Sequence, residues 1–326
     1  MARMDCRWGC RSAAATWARL VLSILAVSLA VAGCGGAGED PADEVRADKL
    51  VNIRSVEFPT TVDDTKVTGL MAVPRGVASR GCVIWQFGFR STKENADYAW
   101  QGLAALGLTT FSIDMRSHGA RAADAGEYQQ VLDDPKAFDA MVRGTVGDLK
   151  SAADFLEKRP ECDGHIAFAG VSLGGAIGTI FAAEDKRIEA VVLVVTPGNW
   201  RQAITSPESP MLRGIIDDPD ALADVMATYE PLDPDRFIGK IAPRPVLIIN
   251  GKSDQTVEFS NARTLQKAAR EPKTIFNFDG GHNPAVGPDA ERIGNELGSF
   301  LLHTMVQPTY DIDSAPNGTF YERKAG

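Results

Sequence analysis

The chain has 326 residues, 44% of them hydrophobic and 24% charged, with 31 Gly, 18 Pro and 5 Cys. That mix excludes a collagen repeat, a disordered tail protein and a disulfide-stapled miniprotein, and supplies a core for one large domain or two small ones. Lys plus Arg is 34 against 43 for Asp plus Glu, a net charge of −9, which argues against a nucleic-acid partner because an acidic surface repels phosphate.

In chain order, the first element is an address. Arg3, Arg7, Arg11 and Arg19 precede an uninterrupted run of Leu, Val, Ala, Ile and Ser over Leu20–Ala32. The run has secretory h-region length, short of the roughly 18 residues a bilayer span needs. It ends in Val31-Ala32-Gly33-Cys34, which resembles a bacterial lipobox. That resemblance implies a signal peptide over 1–33, a diacylated Cys34 and a chain held at the membrane of the cell envelope. The alternatives are a plain signal peptide cut near Ala32, giving a secreted or periplasmic soluble protein, and an uncleaved anchor. Residues 34–49 are small and acidic and read as a tether.

Beyond it, Val51–Phe58 and Lys66–Val73 alternate like a hairpin, with Asp63-Asp64 at the turn. Near-continuous apolar runs follow at Cys82–Phe87, Leu108–Asp114, His165–Ala169, Ile188–Val195, Val246–Asn250 and Thr274–Phe278. Runs apolar on both faces predict strands covered by helices on each side, as in a parallel sheet. Helical spacing falls between them at Asp97–Leu106, Phe138–Lys158, Gly174–Ala183, Phe259–Ala269 and Ala290–Val306. The alternation predicts a doubly wound α/β fold of about eight strands over residues 50–306, mostly parallel, led by an antiparallel pair. The stretch 199–240 is too long for an ordinary connection and holds five prolines; it reads as a small cap before the last two strands. Residues 307–326 lack periodicity and read as a tail.

Gly170-Val171-Ser172-Leu173-Gly174 follows the strand His165–Ala169 and opens a helix. A nucleophile on so sharp a turn needs glycine on both flanks, and the helix dipole favours the negative charge that develops there. An ordinary glycine-rich helix cap is the competing reading of the pattern alone. Asp254 follows the strand Val246–Asn250, and His282, in Gly280-Gly281-His282-Asn283-Pro284, follows Thr274–Phe278. Both fall at carboxyl ends of strands, on the edge that carries Ser172. His303 lies late in a helix, His165 starts a strand, and His118 sits in Asp114-Met115-Arg116-Ser117-His118-Gly119, a loop suited to packing under the site.

The order Ser, Asp, His, with these motifs, resembles the α/β-hydrolase family. Within it the chain is most similar to the carboxylesterase and dienelactone-hydrolase-like group, supported by Pro243-Arg244-Pro245 running into Asp254 and by Thr68-Gly69-Leu70-Met71-Ala72-Val73-Pro74. The resemblance implies a serine hydrolase that takes a small-molecule ester and needs no cofactor. Ser172 would be the nucleophile, His282 the base and Asp254 its orienter. Leu173 and Phe89 would supply the backbone donors for the oxyanion, with Arg90 the alternative to Phe89. The chain departs from the family at Phe87-Gly88-Phe89, where a His-Gly that usually orders this loop is common. A serine peptidase on the same fold and a non-catalytic surface lipoprotein are the competing functions.

Asp217-Asp218 and Asp233-Pro234-Asp235 lack metal-binding spacing, so no metal is expected. Cys82 starts one strand and Cys162 just precedes another that the fold places beside it. The two cysteines therefore form a disulfide or remain two buried free thiols.

Overall fold

The computed structural model describes residues 50–96, 102–124, 126–206 and 219–306. The proposed signal segment 1–33, Cys34, the tether, the residues 307–326 and the Asp217-Asp218 pair lie outside the described residues.

Eight strands form one sheet: β1 (Val51–Pro59), β2 (Lys66–Pro74), β3 (Cys82–Gln86), β4 (Thr109–Ile113), β5 (Ile166–Val171), β6 (Ile188–Val194), β7 (Val246–Gly251) and β8 (Lys273–Phe278). Their spatial order is β1-β2-β4-β3-β5-β6-β7-β8. β1 and β2 pair antiparallel, as do β2 and β4, and every other pairing is parallel. Strands β3, β4 and β7, inside the sheet, are buried along their whole length, whereas β1 is exposed at alternating and consecutive positions as befits an edge.

The helices are α1 (Glu127–Asp133), α2 (Pro135–Leu156), α3 (Leu173–Glu184), α4 (Trp200–Thr205), α5 (Pro219–Tyr229), α6 (Asp235–Ile238), α7 (Phe259–Ala268) and α8 (Ala290–Val306), and residues 102–105 are helical as well. None of the described helices is long and apolar enough to cross a membrane. Helix α2 starts at Pro135, three residues before the predicted Phe138. Asp134 caps it through hydrogen bonds from the Lys136 and Ala137 backbone N–H groups, and proline at the first position costs no hydrogen bond. Helix α1 was not expected; only Val131 and Leu132 on it are buried, too short an apolar stripe for periodicity to register.

The sheet separates two cores. On the front face Ile84, Phe111, Phe168 and Val191 pack under α2 and α3. On the back face Val83, Trp85, Ala167 and Val192 pack under α8 and the 102–105 segment. Adjacent strand residues alternate between the two, the period-two rule of a pleated strand. Within 199–240, the described helices α4, α5 and α6 pack on the front face. There Phe138 of α2 stacks on Tyr229 at 4.4 Å and meets the Trp200 ring edge-on at 5.0 Å.

Cys82 and Cys162 are joined in a disulfide, with Cα atoms 4.7 Å apart. It ties the amino ends of neighbouring β3 and β5, where Cys82 N–H also donates to the His165 carbonyl.

Candidate active site

The carboxyl ends of β3, β5, β7 and β8 converge on one edge. Between β5 and α3 the chain reverses through Ser172, at φ 53° and ψ −121°. A non-glycine residue adopts this conformation only when its surroundings enforce it. Here the Ser172 N–H donates to the Val194 carbonyl at 2.8 Å, and the flanking glycines leave no alternative path. A Cβ at Gly174 would lie 2.2 Å from the Phe87 carbonyl oxygen; one at Gly175 would lie 2.0 Å from Thr196 Oγ1. Helix α3 is therefore seated directly against the end of β3 with Ser172 at its tip.

Ser172 Oγ lies 3.0 Å from His282 Nε2, and His282 Nδ1 lies 2.8 Å from Asp254 Oδ2. The second Asp254 oxygen accepts from the Thr256 and Val257 backbone N–H groups, each at 2.9 Å, so the loop after β7 closes on its own carboxylate. The Asp254 side chain is 1% exposed and that of His282 is 29% exposed. The carboxylate is thus fixed and dry, while the imidazole reaches the cavity. A hydroxyl, an imidazole and a carboxylate in this relay can lower the cost of removing a serine proton during attack on a carbonyl.

Leu173 opens α3, and Phe89 lies on the loop after β3; both line the cavity beside Ser172. Residues 88–91 form a turn closed by Ser91 N–H to the Gly88 carbonyl, with Arg90 at φ 63°. Gly88 passes so close to the nucleophile that a Cβ there would lie 3.0 Å from Ser172 Cβ. The turn is pinned by a clasp that has no counterpart in local sequence. Asp114, after β4, accepts from Lys93 Nζ at 2.6 Å, from Lys93 N–H at 2.8 Å and from Ala120 N–H at 3.1 Å. Both side chains are buried. Burial opposes the Lys93 charge, but its hydrogen bonds to Asp114 and Glu94 prevail and hold its pKa above the ordinary lysine value. The Phe89 ring meets Tyr128 edge-on at 5.2 Å and His118 at 6.1 Å. The His118 ring is buried, which pushes its pKa down, and its Nδ1 is bonded to the Arg116 carbonyl. It packs against the Phe89 loop and does not line the cavity over Ser172. His165 pairs instead with Glu189.

The cavity over Ser172 measures about 510 Å³, within the range of small-molecule sites. Its described lining contains no Asp, Glu, Lys or Arg. Trp200 contributes to it, whereas Met226 and Tyr229 are buried in the packing of α5 and do not line it. Met211 lies outside the described residues. Asp233 accepts from the Trp200 N–H at the start of α4. Among the described residues no cluster of three or more His, Cys, Asp or Glu is placed to hold a metal.

A sequence model described as the alpha/beta hydrolase family matches residues 84–293, most of the chain. The chain belongs to the alpha/beta hydrolase family. It is 30% identical over 152 residues to protein YfhR of Salmonella typhi, a match covering 43% of this chain and 48% of that relative; the chain thus spans about half the length of that relative. It is 23% identical over 195 residues to esterase YjfP of Escherichia coli K12, covering 58% of this chain and 75% of the esterase. Among solved structures, the Pyrococcus furiosus esterase Pf2001 superposes with a TM-score of 0.60 at 19% identity, covering 84% of this chain and 98% of that one. The Pyrococcus horikoshii acylaminoacyl peptidase gives 0.64 at 16% identity, covering 82% of this chain and 44% of the peptidase. At these identities the two structures speak for the fold alone.

Proposed function

We propose that this alpha/beta hydrolase is a serine esterase that cleaves carboxylic esters of small molecules through an acyl-enzyme on Ser172. The observation that carries the reading is the unbroken relay from Asp254 Oδ2 through His282 to Ser172 Oγ, on a cavity whose described lining holds no Asp, Glu, Lys or Arg. His282 takes the Ser172 proton as Oγ attacks the ester carbonyl, and Asp254 holds the imidazole with Nε2 facing the serine. The backbone N–H groups of Leu173 and Phe89 stabilise the oxyanion. His282 then protonates the departing alcohol, and water, deprotonated by the same imidazole, releases the acid.

The test is labelling with a fluorophosphonate probe together with hydrolysis of p-nitrophenyl esters. Modification is expected at Ser172, and Ser172→Ala is expected to lower kcat by about 10⁴-fold or more. Wild-type turnover in that variant sinks the assignment. A serine peptidase on the same fold is the second reading, suggested by the name of the acylaminoacyl peptidase that shares it. An N-acetyl-aminoacyl p-nitroanilide hydrolysed faster than the matching ester would promote it.

We also propose that the enzyme is exported and held at the membrane through a lipidated Cys34. The Arg-flanked apolar run before that residue supports this, as does the Cys82–Cys162 disulfide, a bond that persists in oxidising compartments. Incorporation of an alkyne-tagged fatty acid that is lost in Cys34→Ser is the expected result.

A further inference from the structure

The cavity over Ser172 draws its walls from both sides of the sheet. Phe138 of α2 with Trp200 and Ala203 of α4 form one wall, continuous with the front core. Leu103 and Leu106 with Ile293 and Leu297 of α8 form the other, continuous with the back core. Ser172 stands between them at the rim that separates the two faces. An ester carbonyl bonded to its Oγ has two further substituents, the acyl chain and the alkoxy group. Once the carbonyl oxygen turns to the oxyanion donors, these must run in different directions.

We infer that the substrate is a neutral ester, apolar on both sides of the scissile bond, with one chain in the front bay and the other in the back bay. The inference rests on the reading of Ser172 as nucleophile and adds the chemical class of what it attacks. Each methylene transferred from water into such a bay is worth about three- to fourfold in kcat/KM. A carboxylate or ammonium on either chain would be stripped of water with no countercharge in the described lining. In the back bay Gly298 of α8 sits against Leu106, where an added Cβ would lie 2.9 Å from Leu106 Cδ1. Substitutions at Leu106 and at Ala203 therefore act on opposite bays.

The experiment measures kcat/KM over two ester series. One lengthens the acyl chain from acetate to decanoate on a constant alcohol, and the other lengthens the alkyl alcohol on a constant acid. A hemisuccinate and a choline ester serve as charged members. In the wild type both series are expected to rise at least tenfold along the chain, and the charged esters to fall at least tenfold below neutral ones of equal length. Leu106→Phe is expected to lower the long-to-short ratio in one series and Ala203→Phe in the other; that ratio is unmoved by a general loss of activity. A flat wild-type profile, an efficient charged ester, or both variants trimming the same series overturns the inference even while the fluorophosphonate still labels Ser172. Absence of that label overturns the nucleophile reading beneath it. The wild-type profiles decide the matter even if a variant fails to fold.

Discussion

The two halves of the site are built from different materials. On the nucleophile side, position is set by backbone meeting backbone: Gly174 against the Phe87 carbonyl, Gly175 against Thr196, and Ser172 N–H on Val194. On the side of the proposed oxyanion donors, the 88–91 turn, in which Arg90 alone is exposed, is held by a buried ion pair, Lys93 with Asp114, whose members lie on separate segments. Steric seating leaves little freedom to change residue type, whereas an ion pair can be removed and its effect on position measured. The first half is rigid by exclusion, the second by attraction.

The sharpest break of this comparison is expected at the glycines. Gly174→Ala places a methyl inside the Phe87 carbonyl and should shift Ser172 and the oxyanion loop apart. A loss of kcat/KM of about 10²-fold or more is expected, read with an activated ester alongside the rate of fluorophosphonate labelling. Next in size, Cys82→Ala with Cys162→Ala is expected to cost about 2–5 kcal/mol of stability in denaturant melts. Its kcat well below the melting temperature should change little, because the bond lies at the strand ends far from the serine. Asp114→Asn comes third. It frees the 88–91 turn, and a fall in kcat of about 10- to 100-fold is expected, below the loss of an oxyanion donor outright. The single variant also leaves the Lys93 charge with Glu94 as its remaining carboxylate partner, a cost below the roughly 3–5 kcal/mol of a buried charge left unpaired. Lys93→Met combined with Asp114→Asn should recover stability without recovering kcat, and full recovery of both would reduce the clasp to a folding role.

The smallest effect belongs to the cap. Burial pushes the Asp233 carboxyl up to about 6 from an ordinary 3.8, partly offset by the Trp200 N–H it accepts. Between those values the folded chain holds a proton that the unfolded chain releases, so stability falls as pH rises through that window. Asp233→Asn retains an acceptor for Trp200 and removes the charge. A gain of about 1 kcal/mol or less at pH 7–8 is expected after solvent screening, vanishing below about pH 4, in thermal melts across pH.

The sheet was legible because six of its eight strands are short, largely apolar runs bounded by Gly, Pro, Asn or Asp, and the other two showed the alternation of a hairpin. The residues Ser172, Asp254 and His282 were legible for a related reason. Each follows a recognisable strand, so edge and order place them together before any distance is known. Cys82 and Cys162 were placed on neighbouring strands, but whether two sulphurs meet depends on register, which only β3–β5 pairing decides. The Lys93–Asp114 clasp left no trace: its members are separated in sequence, and a lysine before a helical turn looks like any solvated lysine. The departure at Phe87-Gly88-Phe89 was visible, and the clasp together with Phe89 packed on Tyr128 shows what orders the loop in its place. Helix α1 buries too few apolar residues to show a period, and α2 starts ahead of its apolar stripe because Asp134 caps it and Pro135 opens it.

A pocket whose opposing walls hang from helices on either side of the sheet has a consequence for how such an enzyme diversifies. If the two bays take the acid and the alcohol as proposed, substitutions in α8 and in α4 act on opposite walls, so their contributions to selectivity should combine by near-simple multiplication. Preference for the acid and preference for the alcohol are then separately heritable traits, and a lineage can retune one without first undoing the other.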